Sequence, residues 1–390
     1  MNRMMAGSRL TIIMTGMIAG DDRYGGAAWA VLQYVLGLKQ LGHDVYFVEP
    51  LPIAKLNPSG VDLAHSETAR RFLRLTASFG MQRSAALLLE GTRQTAGLSY
   101  AELQGVAARA DMLVNTSGML TDPALLEPIA RRVYLDLDPG FNQAWHTVAG
   151  IDMRFDAHTH FATVGLAIGR PDCRVATCNR TWITTCPPVV LREWPVSTAL
   201  THDAFTTVAN WRSYGSLQVD GIFLGQKAHA LRPMIDLPRK TSTRLTLALA
   251  IHPAEPDLGA LRSNGWRLVN PRRTAGTPAS YRRFVSGSKA ELGIAKSGYI
   301  VTRSGWFSDR SACYLASGRP VLAQDTGFGH ALPTSEGLMS FATEADVLTG
   351  IDAICGDYAR HRDAARAIAE RYFDSDRVLS RLIEQVGDAS

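Results

Sequence analysis

The residues whose type and spacing promise chemistry fall between Tyr299 and His330, in YIVTRSGWFSDRSACYLASGRPVLAQDTGFGH. Ser308 and Asp309 open a helical pattern in which Ala312, Leu315 and Ala316 share one face. A serine at that point caps an orphan backbone N–H, and an acid in the first turn suits the helix dipole. Arg310 opposes the same dipole, so it calls for an anion. Arg303 supplies a second cation just upstream. Trp306 and Phe307 present aromatic faces, for a planar ligand or for packing between domains. Gly318 and Pro320 end the helix. Val321–Ala323 then reads as a buried strand, followed by the flexible loop Asp325, Thr326, Gly327, Phe328 and Gly329. With Tyr299–Arg303 taken as a strand, the whole is strand, loop, helix, strand, loop. In a parallel sheet both loops lie at the ligand-binding carboxyl edge, and a helix N-terminus there favours an anion.

Other candidates are scattered. Arg212 and Arg272 follow predicted strands; each reads equally as a ligand contact or a surface charge. Lys289 and Lys296 read as solvated helix residues. Near the N-terminus a loop carries Gly16, Gly20, Gly25 and Gly26, with Asp21 and Asp22 among them. The paired glycines let a ligand approach the backbone closely. Asp136 and Asp138 end a strand, and alternation puts both on one face aimed at a cleft. Asp22 and Asp138 are the preferred candidate bases. His43 and His146 are weaker ones, since His43 lies beyond a helix at the far end.

These residues need a frame. Leu10–Thr15 reads as a strand, Ala27–Leu41 as a helix with apolar residues at helical spacing, and Val45–Val48 as a second strand. The unit lacks the full G-x-G-x-x-G pattern of dinucleotide sites. The alternation continues through Ala85–Leu89, a capping box at Ser99–Glu102, Met112–Asn115 and Val133–Leu137. A proline-rich stretch follows, and the alternation restarts at Thr206–Asn210, Leu245–Ile251 and Trp266–Val269. Thr277 and Pro278 open a helix as N-cap and first residue. Ser288–Glu291 reads as another capping box. The pattern predicts an α/β protein of two Rossmann-like, doubly wound domains facing across a cleft. Their limits are 1–195 and 196–374, with a boundary between Pro187 and Asp203. The helix 375–390 packs back on the first domain.

A chain of 390 residues exceeds one ordinary core. The net charge of +5 is scattered, with no run of five basic residues, which argues against nucleic acid as a partner. Arg3 and Arg9 precede the apolar run Leu10–Ala19, but Thr11 and Thr15 interrupt it, so it reads as a strand rather than a signal peptide. No transmembrane segment is expected. Five cysteines do not form a disulfide framework and fit a reduced, cytoplasmic protein. Cys173, Cys178 and Cys186 with His158 and His160 match no paired zinc pattern, and no metal is expected.

Three segments carry a resemblance. The glycine loop and helix leading into Leu41-Gly42-His43-Asp44-Val45 resembles the start of the acceptor domain of GT-B glycosyltransferases. Leu315-Ala316-Ser317-Gly318-Arg319-Pro320-Val321 resembles their donor-domain motif, and Asp325–Gly329 stands at the place of the glycine-containing loop behind it. The resemblance implies transfer of a sugar from a nucleoside-diphosphate sugar, UDP- or dTDP-linked, to a hydroxyl or amine of a small molecule or glycan, without metal or cofactor. It places the diphosphate over Ser308, Asp309 and Arg310, against Gly327–Gly329, with Arg212, Arg303 and Trp306 nearby. Gly25, Gly26 and Asp136 then face the acceptor. Many retaining members carry two glutamates eight apart; the matching positions here are Gly305 and Cys313. That departure leaves the stereochemical outcome open. It also keeps two alternatives: a UDP-sugar 2-epimerase of the same fold and a non-catalytic sugar or nucleotide binder.

Overall fold

The computed structural model describes residues 9–20 and 25–388. Asp21 and Asp22 therefore lie outside the described residues.

An eight-stranded sheet is built from β1 (Thr11–Thr15), β2 (Asp44–Leu51), β3 (Ala85–Leu89), β4 (Thr95–Gly97), β5 (Met112–Thr116), β6 (Arg132–Asp136), β7 (His160–Thr163) and β8 (Trp182–Thr184). Its order is β4-β3-β2-β1-β5-β6-β7-β8, and all pairs are parallel except β3–β4. A parallel sheet is covered on both faces, so its strands are largely apolar; β3 and β5 are buried at every position.

A second sheet begins with β9 (His202–Asn210), after which β10 (Leu217–Val219) and β11 (Ile222–Leu224) form a separate two-stranded hairpin. Its other strands are β12 (Leu245–Ala250), β13 (Arg267–Val269), β14 (Ser288–Gly293), β15 (Val321–Gln324) and β16 (Leu338–Phe341). The order is β13-β12-β9-β14-β15-β16, parallel throughout. Strand order reverses about β1/β5 in the first sheet and β9/β14 in the second. A crevice opens beyond the strand ends at such a switch point.

Two local readings change. Tyr299–Arg303 is not a strand: Ser297–Val301 is a short helix. Tyr299 is buried, stacked on Trp306 at 4.4 Å and edge-on to Phe141 at 5.5 Å, and this packing outweighs the β preference of the run. The strand is β14, so Ser288–Glu291 is not a capping box. Ser288 Oγ donates to Phe284 O at 2.7 Å and accepts from Thr206 Oγ1 at 2.7 Å, while Glu291 pairs in register with Thr206. Long-range pairing overrode a local signature.

The helix Ser375–Asp388 lies against Gly25–Gln40 beneath the first sheet. A Cβ on Gly37 would stand 2.6 Å from Leu379, so the glycine lets the helices meet. Val189 N donates to Phe373 O, and Ser375 N to Val189 O, at 2.6 and 2.9 Å.

Candidate functional site

The switch point of the second sheet faces the start of Gly25–Gln40. Gly25 touches the other domain without a side chain: a Cβ there would lie 2.3 Å from Thr277 O. Beside this contact is a cavity of about 220 Å³, lined by Gly26, Ala27, Val208, Ala209, Asn210, Ser213, Lys227, Pro271, Ala275, Tyr281, Asp309 and Arg310. It shares Pro271 with a cavity of about 850 Å³ at the ends of β12 and β13, where His252, Arg262, Asn270 and Arg272 stand among apolar residues.

Two cations reach the smaller cavity. Arg310 is the second residue of Asp309–Ala316, whose N-cap Ser308 accepts from Arg310 N at 3.2 Å. Its guanidinium is buried rather than solvated. Nε donates to Glu291 Oε1 and Nη1 to Val208 O at 3.1 Å. Glu291 is fully buried, and its Oε2 has no partner. Lys227 opens the helix Lys227–Leu231 behind the hairpin. Its Nζ donates to Ile294 O and lies 5.6 Å from the centre of the Trp306 ring. Burial, with Arg310 and Lys296 close by, drives the Lys227 ammonium well below its ordinary pKa. Burial also raises the Asp309 carboxyl. Both shifts reduce charge, and an incoming anion would reverse the one on Lys227. Sequence reasoning missed Lys227 and Glu291. A cation opening a helix was a usable signal for Lys227, as it was for Arg310.

The other predicted residues are elsewhere or occupied. Arg212 forms a two-point pair with Glu255 at 2.9 and 3.1 Å. Arg303 is exposed, 3.4 Å from Asp172. In the loop after β15, Asp325 Oδ1 accepts from Gly327 N at 2.8 Å, and Thr326 Oγ1 donates to Trp306 O at 2.6 Å. Phe328 is buried against Phe307, which stacks on Phe373, so neither aromatic is free for a ligand. Gly329 is exposed. The loop is closed on its own side chains, contrary to the expected phosphate-facing Gly327–Gly329.

Asp136 is wholly buried and does not face the cleft. It accepts from Asn142 Nδ2 at 2.6 Å, Gln143 Nε2 at 3.0 Å and Thr163 Oγ1 at 2.9 Å, and holds the turn after β6. Burial pushes its carboxyl up to about 6. Asp138 does sit between the domains, but both oxygens are taken. Lys296 Nζ donates to them at 2.9 and 3.1 Å, Tyr299 Oη to one and Tyr214 Oη to the other. Lys296 is thus a buried cross-domain ion, not a solvated one. His43 accepts from Leu10 N, and His146 lies 4.7 Å from Phe155.

The two positions aligned with the family's glutamates are closed. Gly305 has φ +72°, and a Cβ on it would lie 2.4 Å from Ala167 N. Cys313 is buried beside Gln33 of the first domain, with Nε2–Sγ at 3.6 Å. Among the described residues no group of three or more His, Cys, Asp or Glu could hold a metal ion, and no helix is long and apolar enough to cross a membrane.

Solved structures give the comparison. An alpha-glucosyltransferase in complex with UDP-glucose and DNA containing an abasic site matches over 97% of this chain and 100% of its own, with TM-score 0.60 and 11% identity. Anabaena Alr3699/HepE in complex with UDP and glucose matches over 97% and 100%, with TM-score 0.58 and 11% identity. This chain has the GT-B fold. An alpha-glucosyltransferase bound to UDP and a 13-mer DNA containing a HMU base matches equally, with TM-score 0.58 and 12% identity over 97% and 100%. No protein-family model and no curated protein matches the chain. The GT-B neighbours bound to DNA overturn one expectation. Scattered charge was taken to exclude nucleic acid, yet proteins of this fold bind it, so net charge does not decide the partner.

Proposed function

We propose that the chain transfers a sugar from a UDP- or dTDP-sugar to a hydroxyl or amine acceptor. The second domain, 196–374, holds the donor, and the first, 1–195, presents the acceptor. The observation that carries this reading is Lys227. It is a half-buried lysine whose Nζ donates to the carbonyl of Ile294, and it lines the same cavity as Arg310 at the switch point. A diphosphate seated there meets both cations as leaving-group charge develops. Gly26 lets backbone approach it without a side chain. The nucleoside extends past Pro271 into the larger cavity, toward Asn270 and Arg272. Asp22 is the remaining candidate base, since Asp138 is held by three donors. Lys227 and Arg310 supply the positive charge, so transfer is expected to survive EDTA.

A second reading has its own observation. The glycine at position 305 cannot be replaced by a glutamate where it packs on Ala167, which favours a nucleotide-sugar binder without turnover. UDP release from UDP-glucose separates the two, measured with EDTA against sugar, small-molecule and DNA acceptors. Release stimulated by one acceptor supports transfer. Tight UDP-glucose binding without release supports the binder, sugar interconversion without acceptor an epimerase, and no nucleotide binding ends all three. Loss of release in EDTA, restored by Mg²⁺, would refute the metal-independent arrangement.

A further inference from the structure

Asp138, in the turn after β6, is met by three donors from the second domain. Lys296 Nζ donates to its oxygens at 2.9 and 3.1 Å, Tyr299 Oη to Oδ1 and Tyr214 Oη to Oδ2. Lys296 Nζ also donates to Tyr214 Oη, so the four side chains form one network. Little water reaches it: the Lys296 side chain is 10% exposed and that of Asp138 20%. Phe141 of the first domain packs on it, edge-on to Tyr214 at 5.1 Å and to Tyr299 at 5.5 Å.

The three donors sit on three separate segments, and each segment also touches the surroundings of Lys227. Tyr214 follows Ser213, which lines the cavity of Lys227 and Arg310. Ser213 N donates at 3.3 Å to Oε1 of Gln226, the residue before Lys227. Lys296 follows closely on Ile294, whose carbonyl accepts from Lys227 Nζ. Tyr299 stacks on Trp306 at 4.4 Å, and Lys227 Nζ stands 5.6 Å from the centre of that ring, within reach of a cation–π contact. Asp138 also neutralises Lys296, one of the cations that push the Lys227 ammonium down. We propose that Asp138 is a positioning residue: from the first domain it gathers the three second-domain segments that seat Lys227, so that a nucleoside diphosphate is held tightly only while the domains are joined there. The inference rests on the reading of that cavity as the diphosphate site. Domain contact and donor binding then strengthen each other, as linkage requires.

The test is a double-mutant cycle in the full-length protein, read by titration calorimetry with UDP. Asp138→Asn is expected to weaken UDP binding about tenfold. Tyr214→Phe keeps the ring against Trp145 and Lys296, at 4.7 and 4.0 Å, and strands no charge, so its loss does not report misfolding. It should weaken UDP binding roughly threefold. In a Lys227→Met background neither substitution should cost anything further, because the lysine through which they act is gone. In the ligand-free protein, reductive methylation of Lys227, followed by mass spectrometry, should run about tenfold faster in Asp138→Asn and roughly threefold faster in Tyr214→Phe than in the wild type. UDP affinity unchanged by Tyr214→Phe would overturn the proposal. So would equal losses with and without Lys227, which would show that Asp138 serves only the fold. Failure of the wild type to bind UDP would instead strike the diphosphate reading. The methylation rates then decide whether Asp138 seats Lys227, and rates equal to that of the wild type would overturn it.

Discussion

Arg310 shows how a residue's identity outlives a wrong account of its setting. As a first-turn arginine opposing the helix dipole, it was expected to meet the anion of a ligand. Instead it neutralises Glu291, whose carboxylate has no exposure and one oxygen without a partner. Removing one member of a buried pair leaves the other charge bare, at about 3–5 kcal/mol. Arg310→Ala should therefore lower stability by that order in denaturant titration, and the loss should shrink in an Arg310→Ala/Glu291→Gln double variant. An unchanged midpoint would show that the pair is dispensable. Glu49 gives a pH signature. It accepts from the N–H groups of Ile18, Ala19 and Gly20 and so holds the chain leading into the glycine loop. Burial outweighs those bonds and pushes its carboxyl up to about 7. A raised acid binds its proton more readily in the folded state. Its stabilising contribution is present below about pH 4.5 and is lost as pH rises through about 7. Against Glu49→Gln, the wild type should lose on the order of 3 kcal/mol over that window. Parallel stability–pH curves would contradict this.

At the scale of elements, what was legible was local. Ser308, Ser99 and Thr277 cap the helices they were expected to cap, because a cap is made with the next two or three residues. The β1–β2 unit and the strands β3, β5 and β6 after it were readable from apolar periodicity. The pairs that build the site were not. Glu291 lies 19 residues from Arg310, and Lys296 lies 158 from Asp138, so no short spacing records either contact. The same loss of information hid β14 behind a capping signature. Glycines separate the two kinds of position. Gly105 is exposed inside the helix Tyr100–Ala107, and a Cβ there meets nothing closer than 3.9 Å. Gly305 combines φ +72° with a Cβ 2.4 Å from the backbone of the other domain. Gly105→Ala should raise stability by about 0.5–1 kcal/mol. Gly305→Ala should lower the melting temperature and, by parting the Ser304–Trp306 loop from Gly165–Ala167, weaken UDP binding. A melting temperature unchanged by Gly305→Ala would mean that this junction does not hold the domains together.

For the whole molecule, the account comes down to where the two domains converge. Their sheets present switch points to one another, and contacts at Gly25–Thr277, Asp138–Lys296 and Gly305–Leu166 join them around the cavity of Lys227 and Arg310. Architecture was readable because β-α alternation, unlike a site, is written along the chain. The central claim is that a nucleoside diphosphate binds in this cavity, and Lys227 is the cleanest residue with which to test it. Its half-buried side chain donates to the carbonyl of Ile294, so Lys227→Met keeps the apolar stem and leaves no carboxylate stranded. A charge-assisted contact is worth roughly 1.5–3 kcal/mol. Titration calorimetry with UDP should therefore show affinity falling about tenfold to a hundredfold in Lys227→Met, with a melting temperature no lower than that of the wild type. UDP bound as tightly by Lys227→Met as by the wild type would contradict the account.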